Sequence, residues 1–248
     1  MKHKFCVVTV LYKPTQEDIS HLKNLEANDI PVIVWDNGNL GGVCYGMLNV
    51  YRDEEFRNVG LAAAYNKLIG ISSAKGFEYV LILDQDTRLS VDLYDVDRAL
   101  SKPISLLSEN NDASGMFLLN NHSSTTQKRI FINSGLILKL DMFLPNFDEK
   151  LFVECVDYAW CLSADVRGRK ILIYDRERLL VHHADEKIGK WGVRWRIYPL
   201  RRYAEFNVSI ARLIFRSAFS KRFWFMKYFF KSWLSFNVKQ FMSMVLKK

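Results

Sequence analysis

Short, nearly unbroken apolar runs alternate along this chain with stretches whose apolar positions recur every three to four residues. KFCVVTVL (residues 4–11) and PVIVW (31–35) are β-branched runs that end in turn-prone residues, and each predicts a strand. Between them, QEDISHLKNLEAN sets Ile19, Leu22 and Leu25 on one face of a helix. NVGLAAAYNKLIGISSAKG predicts a second helix, opened by Asn58 as a cap and closed by Gly76, which leads directly into the strand EYVLIL. Strands of this kind separated by helices imply an α/β fold with a mostly parallel sheet covered on both faces. Ligands of such sheets bind beyond the carboxyl ends of the strands. Asp36, after VIVW, and Asp84 and Asp86, after VLIL, are therefore expected along one rim.

Further on, the polar stretch SENNDASG precedes a strand-like RIFINSGLILKL, a helix-like VECVDYAWCLSADVRGRK that Gly168 can stop, and a strand at ILIYD. If the third of these is helical from its start, Glu154 and Asp157 stand at i and i+3 and share a face. From about Tyr198 the pattern is helical throughout, with no Gly or Pro after Pro199. The 248 residues suffice for one sizeable core, with a main domain over 1–205 and a helical tail over 206–248. There is no internal repeat and no low-complexity linker.

Charge changes the picture only at the end of the chain. The net charge is +8, and after Glu205 there is no Asp or Glu, while Arg212, Arg216, Lys221, Arg222, Lys227, Lys231, Lys239, Lys247 and Lys248 follow. Such a block suits a polyanion. Within it Lys227, Lys231, Ser235 and Lys239 recur every four residues as a polar stripe, with Phe223, Met226, Phe230, Trp233 and Phe241 on other sides. A basic, aromatic-rich amphipathic helix predicts contact with an anionic membrane surface, against the alternative of packing on the main domain or in a dimer. No run of about eighteen apolar residues predicts a spanning helix. The basic start MKHKFCVVTVLYKP has too short an apolar run for a signal peptide. Cys6, Cys44, Cys155 and Cys161 lack metal or redox spacing and read as reduced thiols in a cytoplasmic protein. Nucleic acid is not an expected partner, since an acidic cleft repels phosphates unless a cation intervenes.

That cleft is the chemical question. In VLILDQDTRLS (80–90), two carboxylates one residue apart leave a strand and enter a turn, where both can converge on one hard cation. Oxygen ligands of this kind suit Mg2+ or Mn2+, and through the metal a diphosphate. By itself an Asp-x-Asp at a strand end is as readily a loop or cap motif.

Taken in order, VVTVLYKP, VWDNG, NVGLAAAYN, LILDQD, INSGLIL, LFVECVDYAWCL and VHH resemble the family 2 inverting glycosyltransferases of GT-A (Rossmann-like) fold. The likeness is greatest to the bacterial rhamnosyltransferase-like branch that builds O-antigen and capsule polysaccharide. It covers roughly residues 5–210, and its most specific part is NVGLAAAYN followed by LDQD.

The resemblance implies roles position by position. Thr9 to Tyr12 and Asp36 bind the nucleoside half of a nucleotide-sugar. Asn58, Gly60 and Asn66 belong to the donor-binding helix, whose small residues let it sit close to the sheet and whose start offers N–H groups to an anion. Asp84 and Asp86 form the metal and diphosphate site, with Asp86 the more direct ligand. Asn133, Ser134 and Gly135 line the donor sugar, against a ligand-free β-bulge as the alternative. Asp157 is the base that deprotonates the acceptor, and Glu154 supports it. The family pattern has a second acid just before the Trp, where this chain has Ala159. His182 or His183 reaches the metal, Arg201 and Arg202 contact phosphate, and the loop HADEKIGKWGVRWR closes over the donor. The donor favoured by resemblance is dTDP-rhamnose, with a UDP-linked galactofuranosyl or other hexosyl donor as the alternative. The acceptor is a lipid-linked glycan, met at the inner face of the bacterial inner membrane. Outside the class, the rival is a non-catalytic nucleotide- or nucleic-acid-binding protein.

Overall fold

A computed structural model describes residues 4–38, 46, 49–90, 95–118, 134–175, 179–182 and 199–245. Its centre is a seven-stranded sheet. Strands β1 (Phe5–Leu11), β2 (Val32–Asp36), β3 (Val50–Arg52) and β4 (Tyr79–Ile82) run parallel in the order β3-β2-β1-β4. Beyond β4 lie β7 (Leu136–Lys139), antiparallel to both of its neighbours, then β6 (Ala113–Leu118) and β8 (Lys170–Tyr174), parallel to each other. The sheet is thus parallel in four of its six pairings, and the expected α/β fold is present with one reversed strand.

That reversal positions the site. Because β7 runs against β4, with Ile82 opposite Leu136, the residues just before β7 lie at the carboxyl end of β4. Ser134 and Gly135 therefore join the same rim as Asp36 and Asp84. A separate pair, β5 (Thr87–Leu89) with β9 (Leu180–His182), stands beside it and sets His182 opposite Thr87.

Both faces of the sheet are covered. Helices α1 (Gln16–Ala27) and α3 (Val96–Glu109) pack on one face through Ile19, Leu22, Leu25, Val96, Leu100 and Leu107. On the other lie α2 (Leu61–Ala74), α4 (Val156–Val166), α5 (Leu200–Phe219) and α6 (Phe223–Val245). Helix α2 approaches closely because the small Ala62, Ala64 and Ser72 are among its buried positions, beside Tyr65 and Leu68. The presumed division after residue 205 falls inside α5, whose Phe206, Ile210 and Leu213 share one core with Trp160 of α4 and Phe225 and Phe229 of α6. Two of the tail's arginines face inward as well. Arg216 pairs with Asp148 and Arg222 with Asp165, so part of the basic block fastens the helical hairpin to the body.

The turn after β4 is tied to the opposite side of the sheet. Arg88 donates to the Gln85 carbonyl at 2.6 Å and forms an ion pair with Asp18 at 2.6 Å, with the two side chains only 12% and 9% exposed. Asp18 in turn closes the capping box of α1 with Thr15. Burial works against the Asp18 charge, but bonds from Arg88 and the Thr15 backbone outweigh it and hold the carboxyl below its ordinary range. Stability from a lowered carboxylate is complete above its unfolded pKa and lost as pH falls through the folded one. Replacing one partner of such a pair strands the other charge, so Arg88→Met is expected to lose about 3 kcal/mol in urea unfolding at pH 7. The deficit should shrink in acid, as Asp18 becomes protonated in both proteins.

Candidate active site

One buried phenol is bonded to one carboxylate and feels the charge of two more. Tyr65, buried in α2, donates its hydroxyl to Asp84 Oδ1 at 3.2 Å. Burial first, then the charges of Asp84, Asp157 and Asp86, push its pKa well above the ordinary tyrosine value. The phenol therefore stays a donor. Tyr65 lies within the quoted NVGLAAAYN, yet sequence reading assigned it no role; its one signal is a phenol set among small residues.

The turn carrying Asp84 and Asp86 is held at every side. The Thr87 N–H closes it onto the Asp84 carbonyl at 2.9 Å. Ser134 accepts from the Asp84 N–H at 3.0 Å and donates to Thr87 Oγ1 at 2.8 Å, which gives this expected donor-site residue a structural contact under the turn. Gln85 accepts from the Tyr12 N–H at 2.9 Å and so ties the turn to the end of β1. Asp86, half-buried, makes no hydrogen bond or ion pair with another described residue.

Asp157, in the first turn of α4, is similarly uncompensated: it accepts from the Tyr158 N–H at 2.9 Å and forms no ion pair among the described residues. Burial chiefly, with the charges of Asp84 and Glu154, raises its pKa to about 7. Glu154 differs. Its Oε1 takes Nε of Arg202 at 2.6 Å, and Nη2 of the same guanidinium contacts it too. It is also not on the helix: α4 begins at Val156, after Cys155 in the left-handed region at φ 65°, so the expected shared helical face of Glu154 and Asp157 is not formed.

Several other expected roles are redistributed. Thr9 lies fully buried within β1, beneath the rim, with its hydroxyl unpartnered among the described residues, whereas Tyr12 is exposed at the rim. Asp36, at the end of β2, accepts from the Gly38 N–H at 2.9 Å in the Asp-Asn-Gly turn. Asn58 accepts from the Gly60 N–H at 2.9 Å just ahead of α2, and Gly60 itself is the cap at φ 83°. A Cβ on Gly60 would stand 2.8 Å from the Phe152 carbonyl oxygen. That carbonyl accepts the Leu61 N–H at 2.5 Å, so the first amide of α2, expected to meet an anion, is taken. Asn66 is turned elsewhere: its Nδ2 donates to the Phe147 carbonyl and Glu149 and its Oδ1 accepts from the Phe147 N–H, which makes it a clamp on that loop. Gly135 has φ 88° and makes way for Leu180, where a Cβ would lie 2.4 Å from Cδ1. Arg202, expected on phosphate, is engaged by Glu154, while Arg201 is exposed and lies over the Phe152 ring at 5.8 Å. His182 is placed by its backbone only; Asn133, His183 and the loop proposed to close over the donor lie outside the described residues.

As a cation site, Asp84 and Asp86 offer the hard oxygens that Mg2+ or Mn2+ prefers. Among the described residues there is no group of three or more metal-ligating side chains. The donor set fits a cation completed by water and substrate oxygens rather than a closed protein cage.

Comparison with known proteins adds to this geometry. No family model matches the chain. Its sequence is 24% identical over 243 residues to the dTDP-rhamnosyl transferase RfbF of Shigella flexneri, covering 87% of this chain and 81% of that one. Its fold is similar to S. aureus TarS, with a TM-score of 0.54, 16% identity and 86% of this chain covered, though the chain spans only 40% of the TarS chain. More distant are A197 from STIV (TM-score 0.47, 11% identity, covering 80% of this chain and all of that one) and a glycosyltransferase involved in glycosylation of the major capsid of PBCV-1 (0.42, 12%, covering 74% and 94%). The fold and the sequence relative together support a bacterial glycosyltransferase of GT-A type, the class expected from the ordered motifs.

The raised pKa of Asp157 has a thermodynamic consequence in the metal-free protein. A carboxyl whose folded pKa exceeds its unfolded one costs stability progressively between the ordinary carboxylate value and about 7. Asp157→Asn should therefore raise Tm more at pH 8 than at pH 5. After discounting for partial exposure, the extra gain is about 1–2 kcal/mol, read by thermal unfolding in chelator at the two pH values.

Proposed function

We propose that the chain is an inverting, metal-dependent sugar transferase that moves rhamnose from dTDP-rhamnose to a lipid-linked glycan in surface polysaccharide synthesis. The observation that carries this reading is that Asp86 and Asp157, neither with an ion-pair partner among the described residues, both act electrostatically on the Tyr65 phenol that donates to Asp84. The choice of sugar and nucleotide is supported by the similarity to the Shigella flexneri dTDP-rhamnosyl transferase.

The chain's own groups divide the work. Asp157, with its pKa near 7, takes the proton of the acceptor hydroxyl. The freed oxygen forms a bond to the anomeric carbon from the face opposite the diphosphate, and the carbon–oxygen bond to phosphate breaks with its electron pair on the nucleoside diphosphate. Configuration inverts in that single displacement. Asp84 and Asp86 would hold Mg2+ or Mn2+, which when bound neutralises charge gathering on the departing diphosphate. Tyr65 keeps Asp84 fixed, Tyr12 and Asp36 border the nucleoside, and Arg201 is the exposed guanidinium available to the donor. His182 or His183 would complete the metal site.

Calorimetry with dTDP, UDP and their sugars, with and without Mn2+, tests the reading. Asp86→Ala should abolish metal-dependent binding, whereas Asp157→Asn should bind the donor normally and lose about 100- to 10,000-fold in kcat. Tight binding of UDP but not dTDP would move the donor to a UDP-hexose; binding of neither would remove the transferase reading.

The hairpin supplies the proposed membrane contact. On α6, Phe223, Phe230, Leu234 and Phe241 are 61%, 53%, 50% and 61% exposed and follow a seven-four-seven spacing, an apolar line about 27 Å long with Lys227 and Lys231 at its flank. A second copy is a poor occupant, because this acid-free surface would set lysine against lysine. No helix among the described residues is long and apolar enough to cross a membrane, so the contact lies in the interface plane. Replacing the four apolar residues by Ser should abolish sedimentation with anionic vesicles while dTDP-sugar binding persists; undiminished sedimentation would contradict the assignment.

A further inference from the structure

The helix that carries the base has no cap of its own. Cys155, at the N-cap of α4, is held at φ 65° and makes no side-chain capping bond, yet Asp157 must be placed accurately two residues later. What fixes this corner comes from elsewhere. A single oxygen, Oε1 of Glu205 on α5, accepts the N–H groups of Val153 and Glu154 at 2.6 and 2.9 Å. Arg202, one turn earlier on α5, grips the Glu154 carboxylate. From the opposite side, the first amide of α2 holds the Phe152 carbonyl. Residues 152–154 are thus clamped between α2, whose Tyr65 anchors Asp84, and α5, which opens the helical hairpin.

We infer that Glu205 is a positioning residue for the base: by accepting these two amides it sets the start of α4 and with it the Asp157 carboxylate relative to the donor rim. Glu205 is the last acidic residue of the chain, so the cationic hairpin contributes one carboxylate to the body, at the point where the base is aimed. The hairpin is then part of the site, and a chain lacking α5 has no fixed base. This inference rests on Asp157 being the base.

Two conservative variants separate the geometry from the charge. Glu205→Gln keeps an oxygen acceptor at the same reach and loses the charge; Glu205→Asp keeps the charge and shortens the reach by one methylene. Positioning predicts that Gln stays within about threefold of wild-type kcat while Asp falls about 10- to 100-fold, both with unchanged donor Kd, since about 1 Å of misplacement costs that much. Wild-type kcat in the Asp variant, or a loss in Gln as large as in Asp, overturns it. A readout without substrate keeps this distinct from the functional reading. The Asp157 carboxyl carbon and Tyr158 amide resonances should move in the Asp variant and stay in place in the Gln variant. If wild type transfers no sugar from any donor, the transferase reading fails and the resonances alone decide: shifts in Asp only uphold the clamp, and any other pattern overturns it.

Discussion

Mutual repulsion of carboxylates at the end of a sheet is the constraint around which this molecule is organised. Asp84, Asp86 and Asp157 all act on the Tyr65 phenol, and neither Asp86 nor Asp157 has an ion-pair partner among the described residues. Like charges brought together out of water are unfavourable unless one takes up a proton or a cation enters. Asp157, lifted chiefly by burial and further by the charges of Asp84 and Glu154, has its pKa raised to about 7; the oxygen-rich turn at 84–86 is suited to a cation.

Such a cluster persists only because the surrounding structure over-determines it. The 84–87 turn is fixed by Ser134 just ahead of β7, by Gln85 reaching the end of β1, and by Arg88 reaching Asp18 of α1. Residues 152–154, just ahead of Asp157, are fixed by α2 and α5 together. Reversal of one strand, β7, brings Ser134 to the rim, and the close approach of α2 through Ala62 and Ala64 brings Tyr65 to Asp84. Each element that shapes the site also contributes to one of the two cores, so the site and the fold share their stability.

Much of this was legible in local pattern. The runs of β1, β2 and β4, the periodicity of α1 and the long helical tail all follow from apolar spacing, and the rim follows from the rule for parallel sheets. Other features lacked a local signal. VDRALSKPISLLSE forms α3 although Pro103 interrupts it, because Val96, Leu100 and Leu107 are buried against the sheet. β6 begins Ala-Ser-Gly after a polar stretch, and only its neighbours β7 and β8 make it a strand. Among site residues, Asp84, Asp86 and Asp157 all act on the Tyr65 phenol, a residue to which no motif gave a role. Asn66, Arg202 and Glu154 do not face the rim freely, since their partners lie 83, 48 and 48 residues away in sequence and no spacing rule reveals them. Glu205 was visible only as the last acid before a basic tail.

The central claim is that burial and neighbouring carboxylates, acting together, raise the Asp157 carboxyl to a pKa near neutral. A carbon-detected NMR titration of its carboxyl group in metal-free protein, repeated in Asp84→Asn, measures this directly. The account predicts a midpoint near 7 that falls when the Asp84 charge is removed. An ordinary carboxylate midpoint near 4, unchanged in the variant, would contradict it.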